Sequence, residues 1–204
     1  MQNNGRALNI GITGGIGAGK TLISLIFKNL GIPVYYADER ARYLMNHDDN
    51  IAGKIREMFG TEAFLNGTLN RKYLAREVFS QAEKLEQLNR LVHPAVNRDY
   101  REWVSRQKNN PYCLKEAALL FETGSYRDLD QTILVYAPEH IRINRILMRD
   151  PYRLKEDVET IIRNQMDDED KKKLADFIIF NDDDRLVIPQ VLKIHKMLVS
   201  MQVS

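Results

Sequence analysis

The sequence has one cysteine, one tryptophan and six prolines in 204 residues, and its 30 basic side chains nearly cancel its 28 acidic ones. Each shortage excludes something. A lone Cys113 cannot close an internal disulfide, which fits a reducing compartment. In the apolar stretch YCLKEAALLF it reads as a small core residue. A formal charge of +2 gives no bulk attraction for nucleic acid, so any anion site has to be local. No apolar run approaches the length of a membrane span, and the opening MQNNGRALNI has no apolar signal-peptide segment. The expected address is the cytoplasm, with no membrane and no nucleic acid as partner. Internal repeats, low-complexity tracts and Ser/Gly linkers are missing too. With 44% hydrophobic and 28% charged residues, the chain has the balance of one well-buried domain with room for insertions.

What glycine there is lies largely in one place. Six of the eleven glycines fall within NIGITGGIGAGKTLISLIFKNLG, residues 9–31. Gly14, Gly19, Lys20 and Thr21 satisfy G-x-x-x-x-G-K-[ST], with a predicted strand before and a helix after. Such glycines let successive backbone N–H groups point inward around phosphate oxygens, and the new helix adds the positive end of its dipole. The backbone of Gly14, Gly15, Ile16, Gly17, Ala18 and Gly19 is therefore read as a cradle for the phosphates of a nucleoside triphosphate. Lys20 would reach the β- and γ-phosphates and Thr21 would ligate Mg²⁺. Leu22 stands where many such loops carry a second hydroxyl, leaving its N–H for the α-phosphate. The dinucleotide fingerprint fails, because its third glycine position is occupied by Lys20.

Strands and helices alternate around this corner. ALNIGIT predicts a buried strand and KTLISLIFKNL a helix stopped by Gly31. PVYYA predicts a second strand, followed by a helix from about Asp38. Residues 51–108 read as helical, with Asn66-Gly67 as a turn and Pro94 as a helix start or kink. YCLKEAALL, QTILVYA and DFIIFN are the remaining strands. PEHIRINRILMRD is a helix with proline in its first turn, broken by Pro151. A last helix runs from about Arg185 towards Val199, with Val187, Val191, Ile194 and Leu198 on one core-facing side. The pattern predicts an α/β P-loop NTPase-type fold with a parallel five-stranded sheet and helices on both faces. One domain is expected, with its core at about 1–37, 109–148 and 173–204. A helical substrate-side insertion would occupy about 38–108, and a smaller lid, basic then acidic, about 149–172.

No N-K-x-D guanine-reading motif is present, and the chain is short for a mechanical ATPase. A small-molecule kinase needs a base and mobile cations beside its phosphate loop, and both have candidates. Asp38 lies at the carboxyl end of the second strand, where ligands of open parallel sheets gather; it is either a base or the N-cap of the following helix. Arg142, Arg145 and Arg149 share one helical face by their spacing of three then four, as mobile cations or as a solvated basic face. Arg153 and Arg163 follow. Glu116, near the end of the third strand, either orients Mg²⁺ through water or is a plain surface glutamate.

Taken together, TGGIGAGKT, GIPVYYADERAR, LVHPAV, ALLFETG, PEHIRINRILMRD and RNQM…KKKLADFIIFN resemble, in order and spacing, the dephospho-CoA kinases over nearly the whole chain. The resemblance implies transfer of the ATP γ-phosphate, with Mg²⁺, to the 3′-hydroxyl of dephospho-CoA. It makes Asp38 the base and Lys20, Arg145 and Arg149 its catalytic companions. It sets Arg42 on the acceptor side, His93 in the CoA-binding insertion, Leu120, Phe121 and Glu122 along the acceptor pocket, and Asn181 against the adenine. Tyr36 departs from the family's D-A-D pattern, so Asp38 would act alone. Ala118 and Phe180 also depart, away from the proposed chemistry. Other readings are a nucleoside or nucleotide kinase, or an ATP-binding regulatory module without turnover. A monomer is expected, with a small homo-oligomer as the alternative.

Overall fold

The computed structural model describes residues 6–203. In chain order its strands and α-helices are β1 (Leu8–Thr13), α1 (Lys20–Asn29), β2 (Val34–Tyr36), α2 (Ala37–His47), α3 (Asp49–Phe59), β3 (Phe64–Leu65), β4 (Thr68–Leu69), α4 (Arg71–Ser80) and α5 (Ala82–Ser105). They continue as β5 (Tyr112–Glu116), β6 (Gln131–Tyr136), α6 (Glu139–Arg149), α7 (Lys155–Arg163), α8 (Asp168–Leu174), β7 (Phe177–Phe180) and α9 (Val187–Val203). The chain divides into two compact units: Ala37–Trp103, and the residues before and after it.

In the larger unit the five strands run in the order β2-β5-β1-β6-β7, and every pairing is parallel. Parallel neighbours cannot be joined by tight turns, which is why helices separate the strands in sequence. Ile10 and Ile12 of β1, Leu114 of β5 and Ile133 and Val135 of β6 point to one face. There Ile23 and Phe27 of α1 and Val191, Ile194 and Leu198 of α9 cover them. The apolar stripe expected of the last helix is this contact. Cys113 is fully buried, as its surroundings predicted. On the other face Leu120 and Leu129 close over Gly11, where a Cβ would meet Leu120 Cδ2 at 2.5 Å. The α8 helix packs on β6.

The smaller unit has its own core, built from Ile51, Ile55 and Phe59 of α3, Leu69 of β4, Leu74 of α4 and Ala95 of α5. One expectation changes here and another narrows. Asn66-Gly67 does turn, both residues with positive φ (51° and 78°), but between the strands β3 and β4 of an antiparallel hairpin within a stretch expected to be helical. Pro94 does not start a helix: it lies inside the 24-residue α5, which leaves the kink as its reading. Arg40 forks onto Asp99 with bonds of 2.9 and 2.6 Å, tying α2 to α5.

One contact in the larger unit makes stability depend on pH. The Tyr112 hydroxyl lies 2.7 Å from His195 Nδ1, and burial holds the His195 imidazole below its ordinary pKa. The neutral ring is thus favoured in the fold, while the unfolded chain takes up a proton more readily. Its contribution is complete above about pH 6.5 and is lost as the pH falls through the depressed value. Melting temperatures at about pH 7.5 and 5.5 should fall more for the natural chain than for His195→Asn. Parallel losses in the two proteins would remove His195 as the cause.

Candidate active site

The phosphate loop runs from the end of β1 to the start of α1, as its motif predicts. Ala18 donates its N–H to the Gly15 carbonyl at 3.1 Å, closing the turn. Gly19 has φ 94°, and a Cβ there would stand 2.3 Å from Asn181 Nδ2, so a side chain is excluded by both backbone and space. Gly15 is required by close approach alone, since Arg142 Nη1 lies 2.3 Å from where its Cβ would be. The first turn of α1 leaves its N–H groups without partners inside the helix, which makes an anion site. Lys20 Nζ is folded back onto the carbonyls of Gly14 (2.8 Å) and Gly15 (3.3 Å). Ile16 is half-buried and Leu22 exposed.

Thr21 is exposed at the helix start, and its hydroxyl donates to Glu116 Oε1 at 3.1 Å. Glu116 is buried at 9% exposure, which overturns its reading as a plain surface residue. Its second oxygen, Oε2, is buried without a hydrogen-bond partner. A hydroxyl and an incompletely satisfied carboxylate are hard oxygen donors of the kind Mg²⁺ takes, together with phosphate oxygens and water. No cluster of three or more His, Cys, Asp or Glu side chains suited to a metal occurs among the described residues, so such an ion would depend on those phosphate oxygens.

The arginines of α6 separate by burial. Arg142 is 3% exposed; its Nε donates to the Ala137 carbonyl (3.0 Å) and its Nη2 to Asp168 (2.8 Å). It is a fixed strut behind the loop and not a mobile cation, because a buried guanidinium held at both ends has nowhere to move. Arg145 is half-buried, paired with Asp183 and 3.4 Å from Asn181 Oδ1. Arg149 is exposed at the end of α6. Arg163 donates to the Thr160 hydroxyl of its own helix at 2.9 Å. Asn181 is buried, with its Nδ2 on the Ala18 carbonyl at 2.8 Å.

The segment expected to be a lid, about residues 149–172, packs on α6. Val158 and Ile162 of α7 rest with Ile16 on Ile143 and Ile146. Glu122 Oε1 accepts Met166 N–H at 3.1 Å and lies 3.3 Å from the Lys171 ammonium, which is 1% exposed. Glu122 thereby serves the α7–α8 segment. Leu120 is fully buried and Phe121 is 3% exposed. Leu120 is a core side chain against Gly11 and presents no surface to a ligand, a correction to its expected place along a pocket.

In the smaller unit, Asp38 is the second residue of α2 and is exposed. The helix starts at Ala37, so Asp38 is inside the first turn, where a carboxylate suits the dipole, and not in the capping position. Arg42, also exposed, follows one turn later on the same helical face. His93 is exposed on α5.

The model of the family described as dephospho-CoA kinase matches residues 8–186. The chain belongs to the dephospho-CoA kinase family. A dephospho-CoA kinase of Bacteroides fragilis is 36% identical over 188 residues, covering 92% of this chain and 91% of its own. One from Porphyromonas gingivalis is 37% identical over 191 residues, 92% of each. Among solved structures, TT1252 from Thermus thermophilus superimposes with TM-score 0.83 at 33% identity, covering 96% of this chain and 98% of that one. A dephospho-CoA kinase from Campylobacter jejuni does so with 0.70 at 27%, covering 95% and 98%. A shikimate kinase from Acinetobacter baumannii, at 17% identity and TM-score 0.50 over 97% and 96%, shares the fold alone. The α/β P-loop kinase architecture is therefore common to the dephospho-CoA kinase family and to this chain.

Gln165 and Lys171, which lie within the resembling segment RNQM…KKKLADFIIFN, and Asp168 between them were given no role from the sequence. Their short-range context, RNQMDDEDKKKL, looks like a solvated charge run. The buried pair makes a firm prediction. Lys171→Met, which leaves Glu122 facing an apolar neighbour, should cost about 3–5 kcal/mol in denaturant unfolding. Lys171→Met with Glu122→Gln should recover much of that; equal loss in both would show that the charges do not act as a pair.

Proposed function

We infer that this protein transfers the γ-phosphate of ATP to the 3′-hydroxyl of dephospho-CoA, giving coenzyme A and ADP. The observation that carries the reading is the complete phosphate loop, with Thr21 bonded to a buried Glu116, in a chain of this family along nearly its whole length. A nucleotide kinase or a non-catalytic ATP-binding module is not favoured by a family match of that extent.

In this proposal the N–H groups of the loop other than those of Ile16 and Ala18, with those of the first turn of α1, hold the phosphates, and Lys20 exchanges the Gly14 and Gly15 carbonyls for the β- and γ-phosphates. Thr21 and Glu116 would hold Mg²⁺, which neutralises phosphate charge. Asp38 takes the proton of the attacking hydroxyl. Arg42 and His93 of the helical unit bind the acceptor, and Phe121 and Glu122 of the larger unit are assigned to it by the family resemblance. Arg145 and Arg149 stabilise charge on the transferring group. Asn181, with Nδ2 on the Ala18 carbonyl and Oδ1 accepting from Arg145, stands against the adenine. No helix among the described residues is long and apolar enough to cross a membrane. Action in the cytoplasm, as a monomer and without nucleic acid, belongs to the same proposal.

ADP release should be fast with dephospho-CoA and slow with adenosine, AMP or pantetheine phosphate; an inert dephospho-CoA beside another active acceptor would overturn the reading. Asp38→Asn should lower kcat by about 10²–10⁴-fold while both substrates still bind. Near-normal turnover there would remove Asp38 as base. Glu116→Gln should raise the Mg²⁺ concentration needed for half-maximal rate, and an unchanged Mg²⁺ dependence would exclude it from the metal site.

A further inference from the structure

Gln165 lies two residues beyond α7, and its side-chain Oε1 accepts the backbone N–H of Ile16 at 3.0 Å. Ile16 sits in the middle of the phosphate loop, 149 residues away in sequence. The glutamine is itself anchored. Its own N–H donates to the Ile162 carbonyl at 3.0 Å, the next N–H, of Met166, goes to Glu122, and Asp168 two residues on receives Arg142. A side chain with fixed backbone on either side makes a firm point of attachment. The loop amides thus fall into two sets. Ile16 and Ala18 donate to protein oxygens, whereas those at the start of α1 have no acceptor within the helix.

We propose that Gln165 is a positioning residue for the triphosphate. It fixes the Ile16 peptide so that the loop stands in phosphate-binding shape before the ligand arrives, and it does so with an uncharged acceptor. Both properties matter. An acceptor is needed because a half-buried N–H left without one would turn the peptide, changing the cradle. Neutrality is needed because a carboxylate at the same place would accept the same hydrogen bond and repel a polyanion. The proposal rests on the reading of the loop as an ATP site.

Two variants separate acceptor from charge. Gln165→Met keeps the length and removes the acceptor; Gln165→Glu keeps the acceptor and adds a charge. In the full chain, Gln165→Met should lose hydrogen-exchange protection at the Ile16 amide and bind ADP about 2- to 10-fold more weakly by titration calorimetry, the range of one hydrogen bond. Its KM for ATP should rise in proportion while the KM for dephospho-CoA holds. Gln165→Glu should keep the Ile16 protection and still bind ADP more weakly; should the Met variant fail to fold, this one carries the test. Equal ADP affinity in all three folded proteins overturns the proposal, as does a fall in both KM-defined affinities together, which a general structural defect would give. If the natural chain ignores ADP, the ATP reading itself is wrong and this proposal goes with it.

Discussion

A cradle for a polyanion has to be stiff while its inner surface stays bare. Backbone N–H groups converging on one point repel one another until the anion arrives, and no side chain can stand among them without blocking it. The loop of residues 14–19 meets this constraint by being held from outside. Asn181 takes the Ala18 carbonyl, Arg142 fills the space over Gly15, and Gln165 takes the Ile16 N–H. All three supports come from the second half of the chain. The order of the sheet explains how they arrive: β6 lies directly beside β1, and the segments that follow β6 and β7 return to the same end.

The same region uses its cations in two opposed ways. Arg142 and Lys171 are almost wholly enclosed, each facing a carboxylate, and they fix the positions of neighbouring segments. Arg145 and Arg149 retain access to solvent and with it the freedom to meet a ligand. Burial costs a charge its hydration, so an enclosed cation is tied to one partner, whereas an exposed one can change partners cheaply. Arginines three residues apart on one helix thus differ in kind.

That difference was not legible in the sequence, because helical spacing places Arg142 and Arg145 on one face without telling which will be covered. Lys171 was hidden for a related reason: DDEDKKK reads as solvent-facing, and only the tertiary position of Glu122 draws one of its lysines inside. Leu120 was assigned by likeness to a pocket, but Gly11 leaves the hollow that it fills. The hairpin of β3 and β4 escaped because strands of two residues carry no periodicity; only its turn was visible. What could be read was whatever local chemistry dictates. The phosphate loop is one contiguous motif, and the five core strands are short apolar runs bounded by turn residues. The family resemblance was readable because several such motifs recur in order.

The central position of β1 has a consequence for the chain as it leaves the ribosome. Leu8 pairs with Tyr112 and Ile10 with Gln131, so this strand finds its neighbours only after about a hundred further residues have been made. Non-local parallel pairing of this sort forms slowly. Meanwhile Ala37–Trp103, which owns a separate apolar core, can collapse on its own. Synthesis then presents a nascent chain whose middle is ordered before its beginning, with the apolar β1 strand waiting in the open for β5 and β6. During that interval the chaperones of the cell have their clearest reason to hold it.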